Sequence, residues 1–207
     1  MIIGLSGLIG SGKGAVSDIL VNDYGYTKMA FADSLKDATA AIFSWPRHLL
    51  EGDTEESRTF REAVDEYWSK ELGREITPRY ILQFMGTEVM RDTVSQDIWI
   101  QSLKIRIARS NLENIVIPDV RFKNEFEFVR QIKGTNIRVR RGPEPEWYYT
   151  AKMVNQYGES EQYSMKKYSH VHMSEWASVG EITNSIIPND GNLDDLKRTL
   201  SGVMSWL

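Results

Sequence analysis

The chain of 207 residues predicts an α/β fold in three layers, a parallel sheet covered by helices on both faces. Three observations predict it. A short apolar run, Ile2 to Ser6, leads through a glycine loop into a helix-compatible segment. A second run, Asn114 to Ile117, has the unbroken hydrophobicity of a strand buried on both faces. Elsewhere helical and strand-like stretches alternate along the chain.

The elements follow in order. Ile2 to Ser6 reads as the first strand, and Lys13 to Asn22 as a helix that ends in Tyr24-Gly25-Tyr26. Thr27 to Phe31 reads as a second strand and Ser34 to Phe43 as a second helix. Glu51 to Glu75 carries nine acidic residues against four basic and reads as a solvated helical face. Pro78, at a favoured first-turn position, opens a helix from Arg79 to about Val94. A further helix covers Ile98 to Ser110, the buried strand follows, then a helix over Lys123 to Ile132 and a strand over Asn136 to Arg140. Gly142 to Glu175 is long, polar and aromatic without clean periodicity, which suits a lid or binding loop. Thr183 to Ile187 is the last strand, Asn189-Asp190-Gly191 a turn, and Leu193 to Trp206 a closing helix. The length fits one domain, with a helical insertion at about 45–112 and a lid at about 141–176.

Composition narrows the function classes. There is no cysteine, so disulfides and thiolate metal sites are excluded. The net charge of −4 argues against a nucleic-acid coat. No apolar run reaches membrane-spanning length, and the first strand lacks the flanks of a signal peptide, so a cytoplasmic protein without membrane contact is expected.

The strongest local signal is Gly7-Leu-Ile-Gly-Ser-Gly-Lys-Gly14 between a strand and a helix, the pattern of a phosphate-binding loop. Gly7, Gly10 and Gly12 let successive N–H groups point at phosphate oxygens, and the helix start from Lys13 to Ala15 adds its positive end. Ser11 lies inside the loop, and Lys13 supplies a mobile charge for the outer phosphates. Such loops usually follow the lysine with Ser or Thr, whose hydroxyl holds Mg²⁺. Here Gly14 stands there, so another group must hold the metal.

Further groups suit the same chemistry. Wound as an α-helix, Arg79, Gln83, Gly86 and Thr87 share one face, while Ile81, Leu82, Phe84, Met85 and Val89 fall largely on the core face. Arg79 can fork onto a phosphate, Gln83 can read a base edge, and Gly86 lets a flat ring approach. Lys36 lies near the first turn of the second helix and suits an acceptor phosphate, although a surface lysine is the plainer reading. Asp119 and Arg121 stand just past the buried strand. Asp119 is the leading protein group for Mg²⁺, with an ion pair to Arg121 as the alternative. Arg138, Arg140 and Arg141 lead into the long loop, and Arg141 is the best placed to steady charge on a transferring phosphoryl group. His170 and His172 read as loop-ordering or ligand-contact groups. No nucleophile–base pair is evident, and phosphoryl transfer needs none.

These motifs occur together in one order: Gly7 to Gly14, Phe31-Ala-Asp-Ser-Leu-Lys36, Arg79-xxx-Gln83-xx-Gly86-Thr87, Asp97-Ile-Trp99, Asp119-Val-Arg121, His172-Met-Ser-Glu175 and Asn189-Asp-Gly191. In that order the chain resembles the bacteriophage deoxynucleoside monophosphate kinases. The resemblance implies a P-loop kinase core with a helical substrate-binding part and a lid. It implies transfer of the ATP γ-phosphate to a deoxynucleoside monophosphate with Mg²⁺, no nucleic-acid partner, and a homodimer as an expectation. It places Gly10 to Gly14 on the donor phosphates, and Asn189 to Gly191 by the donor adenine. Lys36, Arg79, Gly86, Thr87 and Trp99 line the acceptor site, and Arg141 belongs to the lid. Gly14 departs from the family too, which usually has Asp there. A kinase of another small molecule, such as dephospho-coenzyme A, has a related core, but the base-reading helix face argues against it. A guanine-reading switch would carry Asn-Lys-x-Asp, which is absent.

Overall fold

A computed structural model describes residues 1–207. The chain divides into two compact units, 1–30 with 111–207, and 31–110.

The first unit holds the sheet. Its strands are β1 (Ile2–Ser6), β2 (Thr27–Lys28), β3 (Ile115–Ile117), β4 (Thr135–Arg140) and β5 (Ser185–Pro188), all parallel in the order β2-β3-β1-β4-β5. The helices are α1 (Lys13–Tyr24), then α7 (Lys123–Gln131), α8 (Tyr148–Tyr157), α9 (Met173–Trp176) and α10 (Leu193–Met204). Alternation along the strands makes two faces. Ile3, Leu5, Ile137, Val139 and Ile187 pack with Val16 and Leu20 of α1 and Leu196 and Leu200 of α10 in one dry core. Each such side chain contributes about 1.5–3 kcal/mol by leaving water. On the other face Gly4 makes room. A Cβ there would stand 2.9 Å from Asn136 Oδ1 and 3.1 Å from Val129 of α7. The sheet is therefore covered on both faces, as the sequence predicts.

Two expectations change in this unit. The strand expected over Thr27 to Phe31 is only Thr27–Lys28, because the chain turns at Ala32 into the next helix. The aperiodic stretch Gly142 to Glu175 contains α8, a single helical turn at Met165–Tyr168, and α9. It has its own small core of Ala151, Val154, Met165, Tyr168 and Val179, with Leu8, Trp147 and Trp176 against it. Helical periodicity was invisible there because α8 buries only Ala151 and Val154.

The second unit is helical: α2 (Asp33–Phe43), α3 (Glu55–Glu62), α4 (Glu66–Leu72), α5 (Pro78–Phe84) and α6 (Ile98–Ser110), with a one-turn helix at Arg47–Leu50. Thr54, Asp65 and Thr77 cap α3, α4 and α5 by accepting from backbone N–H groups. Phe43 stacks on Trp45 at 4.5 Å, Trp68 meets Phe43 edge-on at 4.9 Å, and Trp45 Nε1 donates to Asp65 at 2.6 Å.

The helix expected from Arg79 to Val94 is α-helical only to Phe84. Met85–Val94 is wound as a π-helix, whose wider turn shifts the phase of every later side chain. Gly86 and Thr87 are consequently buried, and Phe84, Met85 and Val89, expected in the core, are only half-buried.

Candidate active site

β1 delivers the chain at Ser6 into the glycine loop, and the loop delivers it into α1. Gly7 has φ +143° and Gly12 φ +94°. A side chain at Gly7 would run into the Val139 carbonyl, and one at Gly12 into the Asn189 carboxamide. Asn189 is buried, and its Nδ2 donates to the Ser11 carbonyl at 3.0 Å. Asn189 therefore braces the loop that Gly12 lets it approach. Gly12 stands at the N-cap of α1 with no acidic residue in the first turn, so the opening N–H groups, including those of Gly14 and Ala15, lack a side-chain cap. Ser11 Oγ is buried with no hydrogen-bond partner. Gly10 and Gly14 are exposed, and a Cβ on either meets nothing within 4 Å.

Lys13 folds back over the loop. Its Nζ donates to the Gly7 carbonyl at 2.6 Å and the Leu8 carbonyl at 3.0 Å. Its pKa is lowered to about 8, first by burial and then by the Arg121 guanidinium, while Glu175 and Asp119 pull it back up. Those influences locate a cluster: Lys13 after β1, Asp119 and Arg121 after β3, and Glu175 on α9. Arg121 Nη1 donates to Glu175 Oε1 at 3.0 Å and to the Ser174 carbonyl at 3.4 Å. Burial opposes its charge, but Glu175 and Asp119 outweigh that and hold the guanidinium above its ordinary pKa. Glu125, buried at the start of α7, accepts from the N–H groups of Arg121 (2.7 Å) and Phe122 (3.0 Å) and so fixes the backbone that carries Arg121. His172 caps α9, with Nδ1 accepting from Ser174 N at 3.2 Å. It orders the turn that presents Glu175.

Arg141, expected in a lid, is exposed and in no ion pair. Gly142 N donates to Asp190 Oδ1 at 2.6 Å, tying the start of the stretch after β4 to the turn that holds Asn189 and Gly191. Arg138 instead pairs with Glu144 and stands over the Tyr148 ring at 5.0 Å.

The expected acceptor residues lie in the helical unit. Lys36 Nζ contacts Glu51 Oε2 at 2.6 Å, and Arg47 pairs with the other oxygen of the same carboxylate. Burial would raise the Glu51 pKa, but the two cations prevail and lower it. Arg79 pairs with Glu62 of α3. Gln83 is half-buried. Trp99 is buried and commits its indole N–H to the Gly86 carbonyl at 2.8 Å, so it offers a ring rather than a donor. The sequence reading missed Glu51 and Arg47, which carry no motif. It also missed Glu125 and the pairing of Glu175. Only Glu125 had a signal, a carboxylate at the third position of a helix.

No group of three or more His, Asp or Glu side chains is arranged to hold a metal ion. No helix is long and apolar enough to cross a membrane.

A parallel sheet whose first strand ends in a phosphate-binding loop, with a half-buried lysine and a cation–carboxylate cluster beside it, defines a phosphate-loop phosphotransferase. Sequence comparison is more specific. The profile described as deoxynucleotide monophosphate kinase matches residues 51–148. A putative deoxynucleotide monophosphate kinase of Acanthamoeba polyphaga mimivirus is 30% identical over 152 residues, 68% of this chain and 74% of the relative. A deoxynucleoside-5'-monophosphate kinase of Escherichia phage T5 is 45% identical over 56 residues, 27% of this chain and 22% of that protein. The chain belongs to the deoxynucleotide monophosphate kinase family. Among solved structures, shikimate kinase from Aquifex aeolicus aligns over 99% of this chain and 97% of its own at 13% identity, with a TM-score of 0.41.

Proposed function

We propose that the protein transfers the γ-phosphate of ATP to a deoxynucleoside monophosphate, giving the diphosphate and ADP. The observation that carries this reading is the glycine loop with Lys13 folded over it, in a chain of this family. The N–H groups from Gly10 to Ala15 would grip the donor phosphates, with Asn189 and Gly191 near the donor base. Lys13 leaves two carbonyls for the phosphates and follows the charge that grows on the transferring group. Arg121 and Arg141 supply further positive charge, Arg121 held by Glu175 and Arg141 from the lid. In the helical unit, Lys36 and Arg79 would bind the acceptor phosphate. Gln83, Gly86, Thr87 and the Trp99 ring would bound the base.

Mg²⁺ fits these residues in one way. A nucleotide-bound Mg²⁺ keeps several waters and needs only one or two carboxylates, so Asp119 suffices without a hydroxyl at position 14. The ion would neutralise charge on the donor phosphates.

The test is a coupled assay with ATP, Mg²⁺ and each of dAMP, dGMP, dCMP and dTMP, with Lys13→Ala as control. Turnover with at least one acceptor, lost in the control, is expected. No diphosphate from any acceptor would sink the reading.

A further inference from the structure

Glu51 has no task in the reading above, yet it stands where that reading needs an anion. Its side chain is 25% exposed and that of Lys36 only 14%. One carboxylate oxygen, Oε2, takes the Lys36 ammonium at 2.6 Å, and the other, Oε1, takes the Arg47 guanidinium. Arg47 also reaches Asp37 Oδ1 at 2.6 Å and Asp33 Oδ1 at 3.7 Å, so its guanidinium stays held in place by two other carboxylates when Glu51 leaves. Two half-buried cations spread across two oxygens of one anion make a site of the kind that binds a phosphate monoester. Lys36 has Glu51 as its counter-charge, and a largely buried ammonium without one is costly, so an empty site of this kind needs an internal anion.

The backbone suits a side chain that can leave. Glu51 follows the one-turn helix Arg47–Leu50 and precedes Gly52, whose φ is +78°. Its N–H donates to the His48 carbonyl at a long 3.4 Å. No long helix holds it.

We propose that Glu51 is a placeholder for the acceptor's phosphate, and that Arg47 joins Lys36 in binding that phosphate once Glu51 is displaced. The inference rests on the acceptor-site reading of Lys36. It adds a rule of selection. A dianionic phosphate monoester outcompetes a single carboxylate, whereas a nucleoside, a monoanionic diester or a carboxylate leaves Glu51 in place. Acceptor affinity is then reduced by the fraction of molecules whose site Glu51 fills.

Glu51→Gln removes the competitor's charge while keeping its size. With ATP saturating, the acceptor KM should fall about tenfold, as expected if Glu51 fills the site in about nine molecules of ten. The KM for ATP should not move. Calorimetry should find the monophosphate bound more tightly by the variant and the matching nucleoside bound as before. An acceptor KM that rises or stays put overturns the proposal, since a carboxylate that merely positions Lys36 would weaken binding when removed. Should the thermal melt find Glu51→Gln unfolded, Glu51→Asp replaces it. Its shorter carboxylate cannot bridge both cations, so a smaller fall in KM is expected, and a rise or no change overturns the proposal. Lys36→Ala separates the two readings. If it raises the acceptor KM while Glu51→Gln does not lower it, only the placeholder fails. If it leaves the acceptor KM alone, the acceptor site and the placeholder fall together.

Discussion

Lys13 must be a cation to draw on phosphate charge, and its surroundings oppose that. Its pKa of about 8 lies below the 10.5 of an exposed lysine. The sign follows: between those values the unfolded chain holds the proton and the folded one sheds it. Stability from this group therefore rises as pH climbs from about 8 to 10.5, and below 8 the folded state bears the full cost of the buried charge. For the free enzyme, kcat/KM for ATP should fall as pH passes about 8. Bound phosphates favour the charged form, so kcat should decline only at higher pH. Coincident pH profiles for the two constants would contradict this. The loop glycines differ just as sharply. Gly12→Ala meets both positive φ and the Asn189 carboxamide, and should cost more than about 1–2 kcal/mol in urea unfolding. Gly14→Ser enters open space and should change stability by less than about 0.5 kcal/mol. It should lower the Mg²⁺ concentration for half-maximal turnover, because the hydroxyl that phosphate loops usually offer is restored.

At the scale of elements, the segment after α5 departs most from expectation. Its residue pattern reads equally well as α-helix, and nothing in Met85–Val94 forbids that winding. What selects the wider turn is packing: Leu35 lies 2.9 Å from where a Gly86 side chain would start, and Trp99 closes on the Gly86 carbonyl. Those partners sit far away in sequence, so the phase of Gly86 and Thr87 was not legible beforehand. Trp99→Phe keeps most of the ring and removes the indole bond, leaving that carbonyl only its bond within the π-helix. The variant should lose about 0.5–1.5 kcal/mol of stability, measured by urea unfolding. No loss would mean water replaces the indole. The strands and their order of use were legible, by contrast, because Ile115 to Ile117 and Ile3 to Leu5 are short apolar runs flanked by turn residues.

Across the whole molecule, the stretch from 147 to 179, proposed as the lid, is a folded part with its own core, and α9 carries from it the carboxylate that holds Arg121. Ala151 is fully buried in that core. Ala151→Asp places a charge there without a partner and should unfold the lid locally. Hydrogen exchange should lose protection from 147 to 179 while β1 and β4 stay protected. Turnover should drop because Glu175 no longer positions Arg121. Protection retained in the lid, or lost throughout the sheet, would refute the lid's independence.

The parallel α/β plan, the loop from Gly7 to Gly14, the placing of Asp119 and Arg121 after a buried strand, and the family were all legible along the chain. These depend on neighbours in the chain: local periodicity, turn chemistry and fixed motif spacing. Tertiary structure alone decided what each charge faces. Arg121 near Lys13, Glu175 on Arg121, and Glu51 on Lys36 all join residues from different elements. Burial and charge pairing set protonation and availability there, and neither has any period along a chain.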